Sequence, residues 1–147
     1  FKHNKNVAFA HCISADFDHD RHMSAGVAVI FKRQFGKPTD AEYVGTHLTF
    51  QKADEAAGVY GLVTKPNYSN KPTDDDYNQA FKQLSEDLKA RGYKHLICSP
   101  LGCVRDGVDV ELFVTNLIQL HNYTGAKISV VTYDEKISTD PKKWTIT

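Results

Sequence analysis

Lys65 and Asp106 are the two residues whose types and positions point most directly to catalysis. Lys65 ends the apolar run LVTK, where partial loss of contact with water would make its amine a usable nucleophile. Asp106 lies in the loop GCVRDG, between two glycines. Within one cleft, a lysine and a carboxylate support either Schiff-base or acid–base chemistry. As isolated residues, they are more often a surface pair.

The segment FDHDRH, at residues 17–22, contains acids and histidines that could serve as metal ligands. These candidates are Asp18, His19, Asp20 and His22. They all lie in one short loop, and no distant second pair of ligands accompanies them. The sequence therefore favours a solvated loop, and we predict no metal site.

Small residues lead into two predicted helices and indicate where a phosphate could bind. Ser24, Ala25 and Gly26 begin one helical pattern, and Gly102 and Cys103 lie in the loop before another. A helix N-terminus presents unpaired N–H groups and a partial positive charge, so small residues there let a phosphate approach the backbone. Each signal is weak alone, because small residues often begin helices. Together they predict a diphosphate site that needs no basic side chain.

The elements that must position these residues follow from the spacing of apolar positions. Short apolar runs predict strands, and apolar residues three and four positions apart predict helices. Strands are predicted at 7–12, 46–51, 59–65, 95–98 and 127–133. Helices are predicted from Ser24 to Gly36, from Thr73 to Gly92, and at 109–122. The last helix is predicted to pack through one apolar face made by Val110, Phe113, Val114, Leu117 and Ile118.

The order of these elements predicts an α/β fold. Strands 46–51 and 59–65 read as a hairpin, whereas the alternation of strands and helices elsewhere implies βαβ crossovers. The sheet should therefore be mixed, largely parallel and covered on both faces. Ligands bind at the carboxyl ends of strands in such sheets. The loops 13–26, 65–72 and 99–108 are expected to meet there.

Length and charge narrow the range of functions. The 147 residues suit one domain, predicted at 1–133, followed by a linker-like tail at 134–147. Eighteen basic residues balance eighteen acidic ones, so no global field attracts nucleic acid or an anionic membrane. No apolar run approaches the length of a membrane span, and FKHNKN lacks a signal-peptide core.

The three cysteines are an odd number without zinc-site spacing, and they lie in or beside apolar segments. They do not resemble the disulfide framework of a secreted domain. The expected location is therefore a reducing compartment, the cytoplasm or the nucleus.

Five ordered motifs resemble those of the macro domains, and most closely those of the terminal ADP-ribose protein glycohydrolase branch. They are AHCIS (10–14), MSAGVAVIFKRQFG (23–36), LVTK (62–65), KPT (71–73) and GCVRD (102–106). The resemblance extends from about Val7 to Tyr133. It implies a three-layer α/β/α sandwich that binds ADP-ribose and needs no cofactor.

The resemblance also implies roles for particular residues. In that branch, a lysine matching Lys65 attacks the anomeric carbon of ADP-ribose attached to a protein carboxylate, and an aspartate matching Asp106 completes turnover. The loops matching Ser24–Ala28 and Gly102–Arg105 cradle the diphosphate and the distal ribose. The implied ligand-binding residues are Ser14, Asp16, Met23, Ser24, Ala25, Gly26, Val27, Ala28, Pro100, Leu101, Gly102, Cys103, Val104, Arg105 and Tyr133.

The sequence departs from the branch in both phosphate loops. Ser24 and Val104 stand where the branch has glycine, so each loop has lost a residue that admits positive φ or close approach of the backbone. A reduced affinity is the expected consequence. The loop between Ser14 and Met23 is longer than in the branch, which suggests a lid or a protein-docking element.

The adenine site is less well defined by the sequence. The family usually begins with a strand that ends in a glycine and an aspartate, and the aspartate reads the adenine amine. This sequence starts after that point, so either it is an excerpt or adenine is bound without that acid. Tyr133 would either stack on adenine or pack at the end of the sheet.

The leading hypothesis is a hydrolase that releases mono-ADP-ribose from acidic side chains. Its partner would be ADP-ribose or an ADP-ribosylated protein. No membrane partner is expected, and the sequence carries no strong nucleic-acid signal. Hydrolysis of ADP-ribose 1''-phosphate or of O-acyl-ADP-ribose would need the same cleft. A non-catalytic ADP-ribose reader is a rival. So is a structural subunit that docks through residues 15–22 or the tail.

Overall fold

The computed structural model describes residues 6–14, 43–52, 57–65, 71–103, 107–132 and 142–146. These residues form strands β1 (Val7–Ser14), β2 (Tyr43–Gly45), β3 (Leu48–Lys52), β4 (Gly58–Lys65), β5 (His95–Cys98), β6 (Lys127–Thr132) and β7 (Lys142–Ile146), with helices α1 (Asp74–Arg91) and α2 (Val110–Thr124). The helix predicted from Ser24 to Gly36 lies outside the described residues. None of the helices in the described ranges has the length and apolar character needed to cross a membrane.

The seven strands form one sheet in the order β2-β3-β4-β1-β5-β6-β7. The four central strands, β4, β1, β5 and β6, pair in parallel. The outer pairings, including the predicted β3–β4 hairpin, are antiparallel. Neighbouring residues of a strand point to opposite faces, and Val59 and Tyr60 of β4 are both buried. The central sheet is therefore covered on both faces, and the predicted mixed, largely parallel α/β fold is confirmed.

Both ends of α1 are marked by residues that cap helices. The side chain of Thr73 accepts a hydrogen bond from the Asp76 amide at 3.1 Å, and three aspartates occupy the first turn, where they complement the helix dipole. Gly92 closes the helix at φ 76°, in the left-handed region that favours glycine. The apolar face predicted for this helix is buried, through Tyr77, Ala80, Phe81, Leu84 and Leu88. The predicted helix is confirmed.

Helix α2 forms where it was predicted, but its buried face is rotated. Phe113 and Leu117 are buried as expected, together with Asn116 and Leu120. Three other residues of the predicted face are exposed instead: Val110 at 61%, Val114 at 41% and Ile118 at 47%. The prediction rested on apolar residues alone and misplaced the buried face, because the polar residue Asn116 lies on the packed side of the helix. The Asn116 amide is accommodated there because it donates to Asn78 Oδ1 at 2.9 Å and to the Leu112 carbonyl at 3.0 Å.

The chain after residue 133 is not simply a tail. Residues 142–146 form β7, which pairs antiparallel with β6 from Ile128↔Ile146 to Thr132↔Lys142. This corrects the predicted domain boundary, since the edge strand belongs to the sheet. Its two lysines, Lys142 and Lys143, weaken the strand signal in the sequence, yet lysine is common on edge strands because it discourages further pairing.

A cluster of aromatic and charged residues joins the C-terminal end of α1 to the hairpin. The Tyr60 hydroxyl donates to Asp87 Oδ2 at 2.6 Å, and Arg91 Nε donates to the same oxygen at 2.6 Å. The Arg91 guanidinium lies 3.7 Å from the centre of the Phe50 ring. Burial and the bond to Asp87 raise the pKa of Tyr60, so its hydroxyl stays protonated and keeps this link at neutral pH.

Candidate functional site

The predicted catalytic lysine lies at the carboxyl end of a central strand. Lys65 is the last residue of β4 and pairs with Ser14, the last residue of β1. The register shifts just before this pair, because Ile13 is opposite Val63. Thr64 is therefore an extra residue, which makes the end of β4 a β-bulge. Bulges re-aim the side chains that follow them and are frequent beside active sites.

The environment of Lys65 is intermediate between core and solvent. Its side chain is half-buried, whereas the preceding residues, Val63 and Thr64, are buried. The lysine thus follows a well-packed strand and is itself partly open to solvent. A nucleophile that must meet a ligand entering from solvent requires this placement.

The loop after β5 begins beside the middle of β1, since the last β1–β5 pair is Ala10↔Cys98, and it has a defined backbone. Tyr77 of α1 donates its buried hydroxyl to the Leu101 carbonyl at 2.6 Å. The Cys103 amide donates to the Pro100 carbonyl at 3.0 Å, and the Val108 amide donates to the Gly102 carbonyl at 3.1 Å. Gly102 has φ 77°, a conformation that side chains disfavour. The predicted small-residue loop is therefore a constrained turn.

Tyr77→Phe is expected to destabilise the protein by about 1–3 kcal/mol, because the Leu101 carbonyl loses a buried donor. Urea unfolding at pH 7 measures this difference. Tyr123→Phe is the matched control, since Tyr123 is 51% exposed on α2 and should change the free energy of unfolding by less than about 0.5 kcal/mol. Equal stability of the Tyr77→Phe variant and the wild type would show that this bond does not anchor the loop.

The cysteines at this edge are poor candidates for the nucleophile. Burial raises the pKa of the Cys98 thiol to about 12. Burial and the nearby Asp109 carboxylate raise the pKa of Cys103 as well. Since the thiolate is the reactive form, both remain unreactive thiols at neutral pH. Cys12, Cys98 and Cys103 form no disulfide bonds.

An open groove of about 450 Å³ lies between the N-terminal ends of α1 and α2. It is lined by Lys71, Pro72, Thr73, Asp74, Tyr77, Gly107, Val108, Asp109 and Leu112. The groove thus joins the KPT motif to the residue that follows Asp106. Two acids, Asp74 and Asp109, and one lysine, Lys71, line the groove, so its charge is mixed.

The structure contains a polar network that was not predicted from the sequence. His47, in the turn between β2 and β3, places Nε2 2.9 Å from Asp76 Oδ1 in the first turn of α1. Hydrogen bonds with His47 and Thr73 hold the pKa of Asp76 below its usual range. The sequence contains one signal for it, since Thr73 and Asp76 have capping-box spacing. Nothing in the sequence indicates that His47 joins them.

The structure brings some of the predicted site residues to one edge of the sheet. Ser14 and Lys65 are paired, and Pro100, Leu101, Gly102 and Cys103 follow the strand on the other side of β1. The remaining predicted residues lie outside the described ranges: Asp16, Met23–Ala28, Val104, Arg105, Asp106 and Tyr133. The acid and histidine segment at 17–22 lies outside them too, and the described residues contain no cluster suited to a metal ion.

Two curated proteins are similar to this chain over most of its length. The chain is 28% identical over 131 residues to the ADP-ribose glycohydrolase OARD1 of Homo sapiens, a match that covers 87% of this chain and 83% of that protein. It is 27% identical over 128 residues to the protein of the same name from Bos taurus, covering 85% and 81%. No family model matches the chain.

Solved structures resemble the chain in fold. The macrodomain of Mycobacterium tuberculosis DarG matches with a TM-score of 0.68 at 13% identity, over 86% of this chain and 88% of that one. Thermosipho africanus DarTG in complex with ADP-ribose matches with a TM-score of 0.67 at 14% identity, over 84% of this chain and 37% of that one. At these identities the likeness concerns the fold alone.

Proposed function

Since the chain has the macro-domain fold, as its sequence predicts, we propose that it binds ADP-ribose and removes mono-ADP-ribose from acidic side chains of proteins. The similarity to proteins named ADP-ribose glycohydrolase supports this proposal. The observation that carries it is the position of Lys65. This lysine lies half-buried at the carboxyl end of a central parallel strand, directly after a bulge.

The proposed ligand site spans the carboxyl ends of β4, β1 and β5. The constrained turn at Pro100–Cys103 presents backbone groups beside β1, where the diphosphate or distal ribose would lie. Ser24–Ala28 would complete the phosphate site from the other predicted loop. Asp16, Met23, Val104, Arg105 and Tyr133 are proposed to contact the ligand as well.

The proposed reaction proceeds through a covalent adduct. The Lys65 amine attacks the anomeric carbon of the distal ribose, a C–N bond forms, and the C–O bond to the carrier breaks. The electron pair of that bond leaves with the carrier's carboxylate. Water then adds to the anomeric carbon as the C–N bond breaks, which gives free ADP-ribose and the lysine amine. The Asp106 carboxylate takes a proton from that water and returns one to the departing amine. A covalent intermediate divides one difficult displacement into two easier ones.

The direct test uses a protein ADP-ribosylated on glutamate as substrate. The purified chain is incubated with it, and free ADP-ribose is quantified by liquid chromatography. We expect release from the glutamate-linked carrier. Absence of release at micromolar enzyme over several hours would contradict the proposal. ADP-ribose 1''-phosphate and O-acyl-ADP-ribose, assayed in parallel, would determine whether other leaving groups enter the same cleft.

A non-catalytic ADP-ribose reader is the second candidate, and the two lost glycines favour it. Ser24 and Val104 replace residues that admit close approach to phosphate, and imperfect placement of the ligand reduces turnover more than binding. Calorimetry with ADP-ribose distinguishes the two functions. Tight binding without release of ADP-ribose would support the reader.

The proposed setting is a reducing compartment, the cytoplasm or the nucleus. The three cysteines, which form no disulfide bonds, are compatible with it. The partner is an ADP-ribosylated protein. Residues 15–22 are proposed to contribute to its docking, because the segment between Ser14 and Met23 is longer than in the branch that the sequence resembles.

A further inference from the structure

The turn between β2 and β3 connects the strand that carries Lys65 to the first turn of α1. We define the His47 network as Thr46, His47, Asp76 and Gln83, whose side chains are joined by hydrogen bonds. None of these residues belongs to the motifs that indicated the function. The network lies at the end of β4, because the Val63 amide donates to the His47 carbonyl at 2.9 Å.

The hydrogen bonds of the network have one consistent direction. Gln83 Oε1 accepts from the His47 amide at 2.8 Å, which fixes the orientation of the Gln83 side-chain amide. Gln83 Nε2 therefore donates to Thr46 Oγ1 at 2.7 Å. The Asp76 carboxylate only accepts, so His47 Nε2 carries a proton, and in the neutral ring Nδ1 accepts from the Thr46 hydroxyl at 2.8 Å. The Nε2–H group donates to Asp76 Oδ1 at 2.9 Å.

The network is closely packed against α1. A Cβ atom added at Gly45 would overlap the end of the Gln83 side chain. Any other residue at position 45 would therefore displace that side chain. Asp76 is fixed at the same time from the helix side, because its amide donates to Thr73 Oγ1 at 3.1 Å. Both ring nitrogens of His47 are used, so its side chain has one defined orientation.

The end of β4 needs this support because its ladder with β3 stops early. The last β3–β4 pair is Leu48↔Leu62. Beyond it, the His47 carbonyl holds the Val63 amide, and Lys65 follows two residues later. On the other side of β4, the pairing with β1 is interrupted by the bulge. A rotation of the β2–β3 turn would therefore be transmitted to the lysine.

We propose that His47 is a positioning residue for Lys65, acting through the β2–β3 turn and Asp76. This inference rests on the proposed function, in which Lys65 is the nucleophile. The imidazole does not take part in the chemistry. It fixes the end of β4 against the first turn of α1, so that the amine is aligned with the anomeric carbon.

The test compares His47→Ala with His47→Gln. Alanine removes the bonds to Thr46 and Asp76, whereas glutamine keeps a side-chain N–H that can reach Asp76. Misplacing a reacting group by an ångström reduces rate far more than binding, so for His47→Ala we expect kcat to fall about tenfold while KM changes less than about twofold. For His47→Gln we expect most of the lost kcat to return.

Tyr60→Phe is the matched control. It removes the hydrogen bond to Asp87 at the opposite end of β4 and α1. It should lower the thermal midpoint without changing kcat at 25 °C. The inference would be overturned if His47→Ala lowered the midpoint but left kcat unchanged. It would also be overturned if Tyr60→Phe reduced kcat equally, because the effect would then be one of general stability.

Hydrogen exchange separates this inference from the proposed function. In the free protein, the Val63 amide should exchange at least about tenfold faster in His47→Ala than in the wild type or Tyr60→Phe, as expected for local opening. A wild type without hydrolase activity would contradict the proposed function. The exchange rates would then still decide whether His47 fixes the end of β4, and equal rates would refute it.

Discussion

Lys65→Ala is expected to lower kcat for release of ADP-ribose from glutamate at least about 10³-fold, because it removes the nucleophile on which the covalent step depends. The lysine is half-buried at the end of β4. Its alanine variant therefore keeps the buried strand residues that precede it. We expect a folded protein that still binds ADP-ribose. Single-turnover assays and calorimetry with ADP-ribose measure the two quantities separately.

Two further lysine variants sharpen this result. Lys65→Arg keeps the positive charge but replaces the amine with a guanidinium that stays protonated, so it should be as inactive as the alanine variant. Lys52→Ala removes an exposed lysine from the opposite end of the hairpin, where Lys52 pairs with Gly58, and should retain full activity. Unimpaired release by Lys65→Ala would refute the mechanism. Equal activity of Lys65→Arg and the wild type would show that Lys65 acts only through its positive charge and is not the nucleophile.

Acidification is expected to destabilise the protein through His11. This residue is 2% exposed in β1, and burial lowers its pKa from 6.5 to about 3. Between those two values the unfolded chain binds a proton that the folded protein excludes. The stability contributed by a neutral His11 is therefore complete above pH 6.5 and is lost progressively as the pH falls toward 3. At pH 4 the loss should be about 3 kcal/mol, since one pKa unit corresponds to about 1.4 kcal/mol.

Urea unfolding at pH 7 and at pH 4.5 tests this expectation in the wild type and in His11→Gln. Glutamine keeps a polar side chain of similar reach but does not titrate. Its loss of stability between the two pH values should be clearly smaller than that of the wild type. Asp76 contributes little to the difference between pH 7 and pH 4.5, because hydrogen bonds lower its pKa from 3.8 and the stability it contributes is lost only below that value. An equal pH dependence in the two proteins would exclude His11 as the source.

The parts of the fold that were predictable have strong local signals. Helix α1 was predicted with both of its ends, because Thr73, the following aspartates and Gly92 report on its backbone directly. Strand β5 was predicted at its observed bounds, His95–Cys98. Strand β2 was missed because three residues cannot display an alternating pattern. The exposed face of α2 depends on what packs against it, which apolar periodicity does not encode.

The candidate site also has features that the sequence predicts and features that it does not. The placement of Lys65 at the carboxyl end of a strand was predictable from the apolar run LVTK, and that of the Pro100–Cys103 loop from the residues that follow HLIC. The roles assigned to these residues stay predictions. The bulge at Thr64 was not predictable, since it arises from the register of two strands that are distant in sequence. The contact between His47 and Asp76 joins residues 29 positions apart. Only the three-dimensional arrangement of the turn and the helix brings them together.

Helix α1 is attached to the hairpin at both of its ends, by His47 with Asp76 and by Tyr60 with Asp87. Two attachments far apart oblige the helix and strand β4 to open together, as a single cooperative unit. The scaffold of the lysine would then persist on heating until the whole domain melts. Thermal inactivation and loss of helical circular dichroism should accordingly follow one curve, so that activity serves as a reporter of global unfolding.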